Sequence, residues 1–287
     1  MENQTKCLVM GSLFSGAGLC DLGFHRAGFR HSFFCEIDPY CRSVLARHWP
    51  GVPIYQDIRD ADPSEFPDID VLAGGFPCQD VSCCGNRAGI TEKTRSGLWY
   101  EYRKIIEAKR PRYAVIENVK GLLSKGLEIV LQDLSAIGYD AEWQCVPAST
   151  FGAPHLRERI FIVAYPHRHG DELQPRVFAS DNTNLGEHYQ PGRVSDWLGV
   201  RIDRAARQAI RQAYPGPALC RMDDGGSKRL DDSHREKPRL KGIPYITPET
   251  YKKWLPMLKA LGNGILPQQA HFVACCILRA EGLPLPA

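Results

Sequence analysis

The chain has 287 residues, 43% of them hydrophobic and 24% charged, with a formal net charge of +3. That length holds one large core with an appendage, or two modest domains, and no window approaches the ~20 continuous apolar residues of a membrane span. The stretch 1–6 is polar and runs straight into an apolar segment, so no secretory signal is expected. Eleven cysteines, an odd number without regular spacing, argue for a reducing cytoplasm rather than a disulfide framework. The adjacent pairs Cys83-Cys84 and Cys275-Cys276 lack the spacing of a structural zinc site, and no metal is expected.

In chain order, residues 8–14 read as a buried strand that runs into Ser15-Gly16-Ala17-Gly18-Leu19 and then a helix at 22–27. A glycine turn opening a helix lets a ligand approach bare backbone at the helix N-terminus. A second strand, 31–35, ends in Glu36-Ile37-Asp38, with the acid about 20 residues beyond the turn and so placed to accept from ribose hydroxyls. Asp57, before Ile58, is a third strand-end acid. These strand ends converge on one crevice suited to an adenosine-type cofactor. The absence of a G-x-x-x-x-G-K-[ST] pattern excludes a P-loop site.

A short apolar run at 69–73 is stopped by Gly74, Gly75 and Pro77, which sets Cys78 just past the carboxyl end of a strand. Open α/β sheets hold their ligands there, and a partly exposed thiol near peptide N–H groups is stabilised as the nucleophilic thiolate. Residues 81–97 then read as a long loop, of the kind that in compact domains is a lid or is disordered. A helix at 99–108 leads to a strand at 113–116 that ends in Glu117-Asn118-Val119, and a strand-end carboxylate in line with Cys78 suits acid/base work beside a nucleophile. After a helix at 127–137, residues 140–146 and 159–164 form an antiparallel pair. Arg157 and Arg159 flank Glu158 at the entry to the second strand, where alternation turns both to one face.

From 165 to about 248 the patterning fails, apart from a helix near 197–213. Residues 167–260 carry 17 Lys and Arg against 12 Asp and Glu, so the positive excess sits in one late segment suited to meeting phosphates. Order returns at 251–260. Gly262-Asn263-Gly264 then opens a final helix at 268–279, with Pro267 near its first turn.

The ordered blocks Phe14-Ser15-Gly16-Ala17-Gly18-Leu19, Glu36, Asp57-Ile58, Gly75-Phe76-Pro77-Cys78-Gln79, Glu117-Asn118-Val119, Arg157-Glu158-Arg159 and Gly262-Asn263-Gly264 resemble those of the C5-cytosine DNA methyltransferases. The match covers about 1–165 and 258–280. The resemblance implies an α/β fold: a mostly parallel, doubly wound (Rossmann-like) sheet with a small, irregular second domain. It divides the chain into an S-adenosylmethionine-binding catalytic domain (1–166), a target recognition region (167–257) and a C-terminal segment returning to the catalytic domain (258–287). By analogy Phe14, Gly16, Gly18 and Leu19 line the cofactor site. Glu36 and Ile37 then lie at the ribose, Asp57 and Ile58 at the adenine, and Pro77, Leu98, Asn263 and Gly264 complete the site. Cys78 is implied as the nucleophile on C6 of a flipped-out cytosine, Glu117 as the acid at N3, and Arg159 and Arg157 as stabilisers of the adduct.

The implied partners are duplex DNA and a cognate restriction endonuclease, with no membrane. The implied location is cytoplasmic (nucleoid-associated in a bacterium) and the implied state a monomer. His155 stands where the family often has Gln, and the usual Arg-Glu segment before the last block has no clear counterpart. A relative acting on RNA and a DNA-binding regulator without catalysis stand as alternatives, the second opposed by the presence of Cys78, Glu117 and Arg159.

Overall fold

A computed structural model of the chain describes residues 7–77, 97–153, 156–167, 177–178, 255–257, 259–261 and 264–286. Seven strands form one sheet in it: β1 (Val9–Leu13), β2 (Arg30–Cys35), β3 (Ile54–Tyr55), β4 (Val71–Gly74), β5 (Tyr113–Val119), β6 (Tyr139–Val146) and β7 (Arg159–Pro166). Their spatial order is β3-β2-β1-β4-β5-β7-β6. The neighbours from β3 to β5 run parallel, while β7 is antiparallel to both β5 and β6. The expected antiparallel pair at 140–146 and 159–164 is therefore present, one residue longer at its start and two at its end.

The strands read as apolar runs because both faces of the sheet are covered. Successive residues alternate between two cores. Leu72, Ala114, Ile116, Ile160 and Ile162 pack with Trp99, Tyr102, Ile106, Val130 and Leu134. These come from helices α3 (Leu98–Lys109) and α5 (Leu127–Ala136), the latter preceded by the one-turn α4 (Leu122–Lys125). Val71, Ala73, Tyr113, Val115, Phe161 and Val163 face the other way, towards Phe24, Val273 and Ile277. Those side chains belong to α1 (Leu19–Arg26) and α6 (Pro267–Ala280). Helix α2 (Pro39–His48), which shows no periodic signal in the sequence, has Pro39 in its first turn and is capped by Asp38, whose Oδ1 accepts from Cys41 N at 2.9 Å.

Order reverses between β1 and β4: β1 leads outward to β2 and β3, β4 outward to β5. That is the switch point at which open α/β sheets leave a crevice beyond their carboxyl ends. Helix α6 closes this part of the fold from the far end of the sequence by packing on α1, and Gly23 permits the approach. A Cβ on Gly23 would run into Pro267 O and stand 2.7 Å from both Ala270 Cβ and His271 N. Alanine gains ~1 kcal/mol of helix propensity over glycine, but overpacking against backbone costs ~1–3 kcal/mol. Gly23→Ala is therefore expected to lower stability by up to ~2 kcal/mol net, read as a fall in denaturant midpoint at unchanged slope; a raised midpoint would contradict the packing.

Beyond β7 the chain returns to the sheet at Val177 and Phe178. Both of their amides donate to the Glu142 carboxylate on β6, at 3.0 and 3.1 Å, and Tyr165 Oη donates to it at 2.8 Å. The loop expected at 81–97 lies almost wholly outside the described residues, as do the helix near 197–213 and nearly all of the irregular second domain. Among the described residues no helix is long and apolar enough to cross a membrane.

Candidate active site

A cavity of about 620 Å³ opens at the switch point. The β1–α1 turn forms its floor. Gly16 (φ 56°) and Gly18 (φ 77°) hold left-handed conformations that glycine adopts without strain. Gly18 also has no room for a side chain, since a Cβ would stand 2.7 Å from the Trp49 ring. Phe14 adopts φ 52° without being glycine, a strained strand exit of the kind concentrated at ligand sites. The helix starts at Leu19 rather than at 22, so Leu19 and Cys20 both reach the cavity from the first turn of α1.

Glu36, 9% exposed, organises the next strand end. Its Oε2 accepts from Gly16 N at 2.6 Å and its Oε1 from Asp38 N at 2.8 Å. Each carboxylate oxygen keeps a further lone pair for a ligand hydroxyl. The amide of the glycine turn and the acid of β2 are thus one unit, which explains their spacing of 20 residues.

On the other side of the switch point, Gly74 and Gly75 are required by close neighbours. A Cβ at Gly74 would collide with Leu13 O, and one at Gly75 with Glu117 Oε2. The exit is pinned to β5 by buried Asn118, whose Nδ2 donates to Phe76 O at 3.2 Å while its Oδ1 accepts from Val119 N at 2.9 Å. Pro77 lines the cavity. Cys78, next in the chain, lies outside the described residues.

Glu117 sits inside β5, paired across the ladder with Phe161, rather than beyond the strand end. Arg159 opens β7 and places Nε 3.0 Å from Glu117 Oε1, with the two side chains 14% and 17% exposed. Burial pushes the Glu117 carboxyl up; Arg159, and then Arg157, pull it back in part. The outcome is a carboxyl raised above its ordinary value, as a group that donates a proton near neutral pH requires.

Arg157 reaches the same cavity by a different route from the one its spacing suggests. It precedes β7 at φ 29°, outside extended geometry, so strand alternation does not orient it. Its Nε donates to Gly264 O at 3.1 Å, and its Nη2 donates to the same oxygen. Gly264 lines the cavity opposite Leu19, whose Cδ1 would collide with a Cβ there.

Other expected residues are not drawn in. Asp57 lies two residues past β3 and is held by Arg59, with Nε to Oδ1 at 3.0 Å and Nη2 to Oδ2 at 2.5 Å. That hydrogen bonding keeps its carboxyl below the usual range. Ile58 is buried in the core, Ile37 is 60% exposed, and Leu98 starts α3; none of these, nor Gly18, is among the residues lining the cavity. Asn263 and His155 lie outside the described residues. The final helix begins at Pro267. Among the described residues no group of three or more His, Cys, Asp or Glu is arranged to hold a metal.

Asn118, Cys20 and Lys259 also belong to the site, and sequence reasoning gave them no role. Asn118 was visible within the Glu117-Asn118-Val119 block. Lys259 falls within the ordered stretch 251–260, where nothing sets it apart from the other lysines there.

A model of the C-5 cytosine-specific DNA methylases matches residues 8–209. The chain belongs to this family. It is similar to the Type II methyltransferase M2.BsuMI of Bacillus subtilis, with 40% identity over 221 residues, 73% of this chain and 55% of that protein. It is similar also to M.NgoBI of Neisseria gonorrhoeae, with 33% identity over 225 residues, 75% of this chain and 69% of the relative. The chain thus spans little more than half the length of the Bacillus methyltransferase.

Two solved structures share the fold. One is an E. coli prophage-encoded protein described as a DNA modification methyltransferase, at TM-score 0.52 and 25% identity over 67% of this chain and 54% of that one. The other is the S. pombe Dnmt2 methyltransferase, at TM-score 0.51 and 18% identity over 73% of this chain and 66% of that one. In this chain the cavity is bounded by most of the described block residues: Phe14 to Ala17 and Leu19 of the glycine turn, Glu36, the Gly75-Phe76-Pro77 exit, Glu117, the two arginines and Gly264, but not Asp57-Ile58.

Proposed function

We propose that the chain is a DNA (cytosine-5-)-methyltransferase. In this reading it moves a methyl group from S-adenosylmethionine to C5 of a cytosine flipped out of duplex DNA, through a covalent bond from Cys78 to C6. The observation that carries this is the half-buried Glu117–Arg159 pair, 3.0 Å apart, beside the strand exit that leads into Cys78.

The residues fit the cofactor. The cavity is within the usual size range of small-molecule sites, and Glu36 offers paired acceptors suited to a ribose diol. Phe14 and Leu19 supply an apolar wall, and Gly16 and Gly264 keep backbone within reach. Bound there, S-adenosylmethionine supplies an electrophilic methyl group.

Cytosine C5 is a poor nucleophile until the ring is activated. Addition of the Cys78 thiolate to C6 forms the S–C6 bond and makes C5 enamine-like. Glu117, biased by burial towards its protonated form, donates to N3 and takes up the charge that addition pushes into the ring. Arg159 holds that carboxyl in place and offers its remaining N–H groups to the base carbonyl. With the methyl group on C5, loss of the C5 proton to a base and departure of the thiolate restore the C5=C6 bond, and N3 returns its proton to Glu117. None of these atoms is reachable in a stacked duplex, so the base must leave the helix.

Residues 167–257, with their positive excess, are the recognition region in this reading, and the 258–287 segment completes the catalytic domain through α6. The Type II relatives favour a modification enzyme with a cognate endonuclease; the reading further takes it as a monomer acting in the cytoplasm. The test is expression of the chain in a host free of cytosine methylation, followed by bisulfite sequencing. C5 methylation confined to one recurring duplex motif is expected, and exchange of residues 167–257 for those of a relative of different specificity should change the motif. A host genome without 5-methylcytosine, despite folded protein, rejects the reading.

A further inference from the structure

A ring of hydrogen bonds joins the segment before β7 to the start of α6. Gln269, in the first turn of α6, is wholly buried. Its Nε2 donates to Val146 O at 2.6 Å and to Arg157 O at 3.2 Å, and its Oε1 accepts from Leu266 N at 3.1 Å. Arg157 closes the ring by donating to Gly264 O from Nε and Nη2. The segment 264–269 and Arg157 therefore hold one another at both ends.

Each member has a physical reason to be what it is. A buried polar side chain is costly unless satisfied, and a primary amide is the side chain that presents two donors and an acceptor together. Arg157, at φ 29°, occupies backbone space unfavourable to a side-chain-bearing residue and needs its surroundings to hold it. Gln269 secures its carbonyl and Gly264 its guanidinium. Arg157 and Gly264 both line the cavity, and Gly264 is packed on Leu19.

We propose that Gln269 is a positioning residue that fixes Arg157, and through Arg157 the Gly264 wall of the S-adenosylmethionine site. This rests on the cofactor site proposed above. Gln269 touches no reacting atom; it governs how well the pocket is formed before the methyl donor arrives. Its loss should therefore appear in cofactor affinity and not in turnover.

The test uses the full chain carrying Gln269→Met, which keeps the volume and removes the amide. Calorimetry with S-adenosylmethionine and S-adenosylhomocysteine should show affinity weakened about tenfold, the equivalent of one lost hydrogen bond. The KM for the methyl donor should rise to match, with kcat at saturation unchanged, the signature of lost uniform binding. Ile277→Val, a packing change on the same helix, should lower the melting temperature and leave cofactor affinity alone. Arg157→Lys keeps the charge but lacks the fork that meets Gly264 O, and it should weaken affinity in the same direction; if Gln269→Met does not fold, Gln269→Leu, which also removes the amide, is read in its place. Wild-type affinity in the folded variant, or a loss in kcat with KM unchanged, overturns the proposal. A wild-type chain that binds neither ligand removes the cofactor reading and this inference together, whereas equal binding by wild type and variant removes the inference alone.

Discussion

Cys78→Ala is expected to reduce methyl transfer by about 10⁴-fold or more, as deletion of a covalent nucleophile does elsewhere, while S-adenosylmethionine binding survives. With duplex DNA containing 5-fluorocytosine, the wild-type chain should accumulate a stable adduct, because fluorine cannot leave C5 as the proton does. The variant should form none. The thiols that share the cavity are poor substitutes. Burial, followed by the charges of Asp21 and Glu117, pushes the Cys20 thiol well up. Burial, with Glu36 and Asp38 beside it, raises that of Cys41 to about 12. Both therefore stay protonated at neutral pH, and a protonated thiol does not add to the ring. Peptide mapping of the adduct to Cys83 or Cys84 would falsify the assignment.

The fold was legible where one physical signal dominated. Continuous apolar runs such as residues 113–116 could only be buried strands, and they are: alternate residues of β5 enter the two cores on either side of the sheet. Boundaries slipped where the signal changed character. A carboxylate ends an apolar run, so the pattern places Glu117 at a strand end; the ladder continues two residues further, to Val119, and carries Glu117 and Asn118 inside it. Helix α2 went unread because only Cys41 and Leu45 are buried on it, too few to show a period. The two-residue β3 is shorter than any pattern can reveal.

The site was legible as a set of strand ends, and less so as contacts. Glu36 and Gly16 were named for separate reasons and turn out to be hydrogen-bonded to each other. The pairing of Asp57 with Arg59, two residues on, could not be read from strand periodicity, since Asp57 lies beyond the strand. Arg157 shows the limit most clearly. Spacing of two implies a shared face only in extended backbone, and a φ of 29° removes that premise. What brings Arg157 to the cavity is a carbonyl 107 residues away, a separation invisible to any local pattern. Gln269 could not have been found at all, because a polar residue early in a helix reads as solvent-facing until the helix is seen to be covered there.

Glu117→Gln is expected to lower kcat by about 10²–10⁴-fold, the usual worth of a positioned general acid, with cofactor affinity retained. The amide keeps the shape and leaves Arg159 an oxygen to bond, so lost activity reports the lost proton and not a collapsed site. The same variant tests the electrostatics independently of catalysis. Burial raises the Glu117 carboxyl, so folding favours its protonated form. That contribution to stability is complete below the unfolded carboxyl value, and it is lost as pH rises through the folded value. Between a pH near the ordinary carboxyl value, about 4, and about pH 8, the wild-type chain should consequently lose stability relative to Glu117→Gln, even though Arg159 and Arg157 offset part of the cost of the charge. Denaturant midpoints of the two proteins at both pH values give the comparison. A difference that favours the wild type more at the higher pH would mean that the arginines outweigh burial, that Glu117 is ionised at rest, and that the proton on N3 must come from another source.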